Sequence, residues 1–222
     1  MAQATLKLSM AIDLAKCIGC DACSVACKIE NSSPGNIWWA PVVHKEVGKF
    51  PKARLSFLPT LCMHCEDPPC MKSCPTKAIS RRDDGIVLIN EDKCAGSRAC
   101  LTACPYNAIS VWEEEVPLYG VGTMTPLDEM AKSKHRLGAA QKCTFCAHRM
   151  DSAKEKRLTP GVDRGATPAC VLACPAECRI FGNAEDSDSP PSRYLEQAKK
   201  EGRQVFVLRP EAQTRPKVAY LW

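Results

Sequence analysis

The sequence predicts an α+β fold built by internal doubling and carrying inserted loops. Three observations predict it. Sixteen of the 222 residues are cysteine. Fifteen of these fall into four groups of similar spacing, an internal repeat that organises the whole chain. Short strand patterns lie between the groups, and the last cysteine of each group is expected to open a helical turn. The hydrophobic fraction of 45% counts the cysteines. Without them the apolar share is about 38%, thin for a conventional core, so something besides apolar burial is needed to hold the chain together. No window approaches the roughly 18 consecutive apolar residues of a transmembrane helix. Met1–Met10 shows no basic stretch followed by a long apolar run, so no secretory leader is expected. Cysteines in this number without such a leader point to metal ligands before disulfides.

Taken in order, Lys7–Asp13 reads as a short strand leading into group one, Cys17-x2-Cys20-x2-Cys23-x3-Cys27. Residues 28–61 follow as a first insertion, with Asn31–Gly35 as its turn and Trp38 and Trp39 as its bulk. Group two is Cys62-x2-Cys65-x4-Cys70-x3-Cys74, followed by Pro75. Ile79–Asn90 reads as a hairpin turning on Asp83, Asp84 and Gly85. Group three is Cys94-x5-Cys100-x3-Cys104, followed by Pro105 and a strand over Ile109–Trp112. Residues 113–142 form a second insertion without clear period. Group four is Cys143-x2-Cys146, a loop over Lys154–Thr167, then Cys170-x3-Cys174 with Pro175. Ser192–Glu201 reads as a helix capped by Ser192 and stopped by Gly202. Gln204–Leu208 is a last strand, and Arg209–Trp222 has no strong pattern and is expected to wrap a surface.

The spacing has a physical reason. In C-x2-C-x2-C the backbone wraps one iron–sulfur cubane and offers three thiolates to three irons. The next cysteine, followed by proline, points away to the other cluster of a pair. This is the organisation of a bacterial two-cluster ferredoxin, doubled. Four-thiolate zinc sites also use C-x2-C pairs, but zinc ribbons separate their pairs, and group one packs four cysteines into eleven residues. A disulfide framework suits such close pairs less well. The formal net charge of +5 falls to about −3 with four clusters of about −2 each, so no nucleic-acid partner is implied. Lys199 and Lys200, and likewise Lys132, Lys134 and Arg136, read as solvated surface. His64 and His148 lie beside cysteine pairs but are assigned to packing or to hydrogen bonds around a cluster, since histidine ligation of the Rieske kind needs two on one iron. Trp38, Trp39 and Trp112 read as packing or interface residues, Tyr106 as packing over a cluster, and Cys178 as a buried thiol beside one. No phosphate loop or catalytic motif is present.

The chain resembles the four-cluster iron–sulfur subunit of the dimethyl-sulfoxide-reductase family of molybdopterin oxidoreductases. The likeness rests on Cys17-Ile-Gly-Cys-Asp-Ala-Cys-Ser-Val-Ala-Cys27, Cys62-Met-His-Cys-Glu-Asp-Pro-Pro-Cys70, Ser73-Cys-Pro75, Ala103-Cys-Pro-Tyr106, Lys142-Cys-Thr-Phe-Cys146 and Ala169-Cys-Val-Leu-Ala-Cys-Pro175. Leu58–Cys62 and the ending Leu208–Tyr220 are most similar to the small subunits of respiratory arsenate and polysulfide reductases and of pyrogallol hydroxytransferase-type enzymes. The resemblance implies that groups one and four pair, as do two and three. One cluster takes Cys17, Cys20, Cys23 and Cys174. Its partner takes Cys143, Cys146, Cys170 and Cys27. The third takes Cys62, Cys65, Cys70 and Cys104, and the fourth Cys94, Cys100 and Cys74, one ligand short. The implied ferredoxin-like domains are 1–27 plus 143–190 and 55–112, with insertions at 28–54 and 113–142 and a C-terminal helix, strand and tail at 191–222.

The missing ligand falls at Ser97. Three readings stay open: a 3Fe–4S cluster with Ser97 uncoordinated, a 4Fe–4S cluster with Ser97 oxygen or water on the fourth iron, and no cluster at all. Three 4Fe–4S clusters and one 3Fe–4S cluster are expected, with four 4Fe–4S as the alternative. The implied function is an electron-transfer subunit, non-catalytic by itself. It would pass single electrons between a molybdopterin catalytic subunit and a membrane quinone subunit or cytochrome in anaerobic respiration. Alternatives are the small subunit of a cytoplasmic molybdopterin phenol hydroxylase or hydroxytransferase, a stand-alone polyferredoxin, and a zinc-bound interaction module. The expected place is the periplasmic side, reached by co-export with the catalytic subunit and without membrane insertion of its own; the cytoplasm is the alternative.

Overall fold

The structure is a computed structural model that describes residues 6–120, 122 and 124–222. Part of the stretch in which a leader was sought, residues 1–5, and positions 121 and 123 of the second insertion lie outside the described residues.

Strand β1 (Leu8–Asp13) feeds group one, whose last two cysteines sit in helix α1 (Ala22–Asn31). Strands β2 (Val42–Val47) and β3 (Arg54–Pro59) then form an antiparallel hairpin that fills the first insertion. Group two ends on helix α2 (Pro69–Lys72), and β4 (Ile79–Arg81) pairs with β5 (Val87–Ile89) across the Asp83-Asp84-Gly85 turn. Helix α3 (Ala99–Ala103) carries Cys100, and strand β6 (Ser110–Val111) follows it. The second insertion contains helix α4 (Pro126–Lys134) and ends on β7 (Ala140–Gln141), which pairs with β6. Helices α5 (Ala147–Lys156) and α6 (Ala169–Leu172) belong to group four. Strand β8 (Arg179–Asn183), helix α7 (Pro190–Lys200), and strands β9 (Val205–Phe206) and β10 (Val218–Leu221) complete the chain.

The largest sheet has the order β8-β1-β10-β9, with β1 parallel to β10 and antiparallel to β8. The tail therefore does not wrap a surface: Val218–Leu221 is an inner strand, and Val218, Tyr220 and Leu221 are fully buried. A strand covered on both faces carries no polar alternation, so a short one has no pattern of its own. The second insertion is likewise more ordered than its sequence suggests. Thr125 and Asp128 form a reciprocal capping box at the start of α4, with Pro126 in the first turn. Helix α7 begins at Pro190, two residues before the expected start, so Ser189 and not Ser192 holds the cap position. The prolines fit there because the first-turn N–H groups have no helical partner in any case.

Cysteines Cys74, Cys104 and Cys174 close short helices, where each was expected to open one. The following proline supplies no N–H and disfavours helical geometry in the residue before it. Thiols are interleaved with the core. Cys23, Cys27, Cys62, Cys65, Cys143 and Cys170 pack in one cluster with Met10, Ile12, Phe145, Phe181 and Tyr220. Helix α1 packs on α6, and α2 on α3.

His135, just after α4, ties the second insertion down. Its ring nitrogens bond Glu91 Oε1 at 2.8 Å and the Asn31 carbonyl at 2.9 Å. Burial works against its charge, but the Glu91 and Asn31 bonds outweigh it and raise its pKa above 6.5. The resulting stabilisation is fully present below the ordinary value and is lost as pH rises through the raised folded value. Hydrogen exchange of α4 should therefore slow as pH falls toward 6.5, after correction for the intrinsic exchange rate, and Glu91→Gln should flatten that dependence. An unchanged pH profile in the variant would remove His135 from this role.

Candidate cluster sites

All sixteen cysteines are free thiols, and one backbone device recurs in the groups. The residue before the second cysteine is left-handed: Gly19 (φ 68°), His64 (φ 43°) and Phe145 (φ 51°). Gly96 (φ 68°) holds the same place before Ser97. The next residue is left-handed again in groups one and three, at Asp21 (φ 57°) and Arg98 (φ 61°), where α1 and α3 begin. Cys20 and Ser97 thus sit in the same turn, and both are exposed. The backbone of group three keeps the shape of a four-cysteine loop and offers a hydroxyl where the thiol would stand.

A second device follows each Cys-Pro. Lys77, Asn107 and Glu177 are left-handed and donate N–H to the carbonyls of Cys74, Cys104 and Cys174 at 3.2, 3.3 and 3.2 Å. The next N–H, of Ala78 or Cys178, donates to the thiol of Cys74 or Cys174 at 3.3 Å. Hydrogen bonds of this kind favour the thiolate and tune a bound cluster. Cys27 has no proline after it and α1 continues, so the Asn31 amide reaches its sulfur instead, at 3.6 Å.

Thiols from distant segments meet. Cys62, Cys65, Cys70 and Cys104 line one cavity, walled by Val87, Ile109 and Tyr106. Cys74, Cys94 and Cys100 line another together with Ser97. Burial, then the neighbouring thiols of Cys143, Cys170 and Cys146, push Cys27 well up. Cys174 and Cys178 bring their sulfurs within 3.4 Å, and Cys17 also acts on Cys178. Cys23 lies near Cys170, Cys62 lies near Cys143, and α2 packs against α3. Cys27, Cys143, Cys146 and Cys170 are all buried, as are Cys62, Cys65 and Cys70, whereas Cys20 and Ser97 are exposed.

The donor set fits iron–sulfur clusters. Burial pushes the Cys65 thiol up to about 11, and Cys70 and Cys146 to about 12. Such thiols give up their protons to metal and not to water. Among the described residues no three His, Cys, Asp or Glu side chains converge on a single point. Around these two cavities the thiols line a volume, as a multi-iron core requires.

The remaining candidates have plain roles. His64 is fully buried, accepts the Val87 N–H at Nδ1 and stacks on Phe145 at 3.8 Å. The stack joins the loop of Cys62 and Cys65 to that of Cys143 and Cys146. His148 is exposed and pairs with Glu30. Trp39 and Trp112 are buried, Trp38 is exposed, and the Tyr106 hydroxyl bonds Thr214. Cys178 is buried beside Cys174. Lys199 and Lys200 are solvated. Arg136 is not merely so: it donates to the carbonyls of Glu91 and Cys94 and holds the group-three loop. Sequence reasoning missed three buried cations, Lys28, Lys142 and Arg179. Their only signal is position, each next to a cysteine.

Residues 16–78 and residues 53–119 each match the 4Fe-4S dicluster domain family. The chain is 35% identical to the arsenate respiratory reductase iron-sulfur subunit of Shewanella sp. (strain ANA-3), over 97% of this chain and 96% of the relative. It is 34% identical to a tetrathionate reductase subunit of Salmonella typhimurium, over 97% of this chain and 72% of that protein. It is 36% identical to a polysulfide reductase chain of Wolinella succinogenes, over 85% and 83%.

The loop geometry makes Gly19 a sensitive position. A Cβ there would lie 2.3 Å from the Phe57 ring, at a φ of +68°. Gly19→Ala should cost about 1–3 kcal/mol by overpacking, read as a lower unfolding midpoint at equal iron content. Phe57→Ala in the same chain should recover part of the loss; strict additivity of the two changes would refute the clash.

Proposed function

This protein belongs to the iron–sulfur subunits of dimethyl-sulfoxide-reductase-family enzymes, and on that premise we propose that it relays single electrons through four clusters between a molybdopterin catalytic subunit and a membrane quinone subunit or cytochrome. It is an electron-transfer subunit, and catalysis lies in a separate polypeptide. The observation that carries the four-cluster reading is the meeting of Cys62, Cys65, Cys70 and Cys104 around one cavity, with its near copy at Cys74, Cys94, Cys100 and Ser97.

The first site is assigned to Cys17, Cys20, Cys23 and Cys174, and the second to Cys27, Cys143, Cys146 and Cys170. The third takes Cys62, Cys65, Cys70 and Cys104, and the fourth Cys74, Cys94 and Cys100. When bound, clusters supply reversible one-electron transfer. The polypeptide spaces them, keeps water from the second and third, and directs N–H groups at their sulfurs. The α1–α6 and α2–α3 contacts support a division into domains of 1–27 plus 143–190 and 55–112.

Ser97 distinguishes the fourth site. A hydroxyl is a harder and weaker iron ligand than thiolate, so this site is assigned a 3Fe–4S cluster with a higher potential than its neighbours. An open groove bearing Cys94, Arg98, Glu113 and Arg136 adjoins it, a fitting place for the next carrier, beside the 113–142 insertion. At the other end Ile18, Val25 and Ile29, with Val43 and Leu55 of the hairpin, are exposed and are assigned to the catalytic subunit. Co-export with that subunit would bring the chain to the periplasmic side.

Low-temperature EPR of the anaerobically purified protein tests the assignment. A narrow oxidised three-iron signal as isolated, with cubane signals after dithionite, is expected. Ser97→Cys should abolish the narrow signal and add about one iron per chain. An oxidised wild type that is silent, with four reduced cubanes, would place Ser97 or water on a fourth iron. A chain that elutes alone from native extract at its own mass would exclude the subunit role.

A further inference from the structure

Arg179 opens β8 directly after Cys178 and pairs with Ile12 of β1. It is 2% exposed. Its Nη1 has only the Met10 thioether, at 3.8 Å, a weak acceptor. Its Nε and Nη2 have no hydrogen-bond partner, and among the described residues no carboxylate pairs with it. The other two buried cations differ. Lys28 Nζ donates to the carbonyls of Ser33, Pro34 and Ile37, and Lys142 Nζ to those of Val87 and Cys143. Among the described residues, only Arg179 leaves a fixed charge and most of its donors unspent inside the protein.

A buried, unpaired guanidinium is untenable unless a counter-charge lies beside it. Burial works against the charge of Arg179, while Cys170, Cys23, Tyr220 and Cys178 work for it, and the balance keeps it firmly protonated. Cys23 belongs to the first assigned site and Cys170 to the second. The two sites become anionic when their clusters are bound.

We infer that Arg179 bridges the first two cluster sites, donating its free N–H groups to cluster sulfur and holding both reduction potentials up. A cation beside a cluster favours the state with the extra electron, so its removal lowers the midpoint. Cys23 lies on α1 and Cys170 on α6, and both act on the guanidinium that β8 carries into the interior. This inference rests on the four-cluster reading, and the test separates the two.

The test is a potentiometric EPR titration, with iron analysis, of the complex carrying wild type, Arg179→Gln or Arg179→Lys. Absence of iron–sulfur signals in wild type would sink the cluster reading itself. With signals present, Arg179→Gln should lower two of the four midpoints by at least tenfold in the oxidised-to-reduced ratio, about 59 mV for one electron. Arg179→Lys, which keeps the charge, should move them less. If Arg179→Gln sheds iron from two sites while Arg179→Lys keeps it, the need for charge is equally demonstrated. Four unchanged midpoints in Arg179→Gln, a uniform shift of all four, or equal iron loss in both variants would overturn the bridge.

Discussion

Cys27 lies on α1, and Cys143, Cys146 and Cys170 come far down the chain, yet their thiols face one another inside the protein. The same is true of Cys104 with Cys62, Cys65 and Cys70. This convergence of sulfur from distant segments is what the remaining architecture serves. The sheet β8-β1-β10-β9 joins the segment before group one to the segment after group four. The β4–β5 hairpin lies between groups two and three, whose helices α2 and α3 pack on each other. Helices α2, α3 and α6 are only as long as needed to present a thiol and then stop. Sulfur takes a large share of the interior that aliphatic side chains would otherwise fill, which is how a chain with a thin apolar fraction acquires a packed centre.

Concentrating anionic sites in a low-dielectric interior creates an electrostatic demand. The chain meets it at two scales. Locally, turns after Cys74 and Cys174 aim backbone N–H groups at sulfur, and the Asn31 amide does so where α1 leaves no such turn. At longer range, Arg179 brings a whole positive charge to the boundary between the first two sites. Lys142, by contrast, is held by carbonyls and works through geometry, fixing the Cys143 loop against β5.

Burial differs among the thiols. Cys27, Cys143, Cys146, Cys170, Cys62, Cys65 and Cys70 are buried and Cys104 is half-buried, while Cys20 and Ser97 reach solvent. A relay needs this difference: sites shielded from water keep electrons on the path, and exposed ones must approach partners closely. The exposed apolar side chains around Ile18 and Val25 and the groove beside Cys94 lie where such approaches would occur.

The sequence by itself determined the parts whose cause is local. Cysteine spacing dictates the turn around each group, proline ends each short helix, and the Asp83-Asp84-Gly85 turn makes its hairpin. The missing ligand at Ser97 was legible for the same reason, from the register of group three, and the structure adds that Gly96 and Arg98 keep the turn of Gly19 and Asp21. The capping box of α4 was also written in Thr125 and Asp128, though the polar stretch around it hid the helix. Only the tertiary structure decided the rest. Val218–Leu221 becomes an inner strand because β1 and β9 flank it, and nothing in four apolar-leaning residues announces that. Arg179 is an ordinary surface residue until Cys23 and Cys170, brought from opposite ends of the chain, close around it. Local backbone preference is encoded within a few residues; burial and counter-charge depend on what the fold brings alongside.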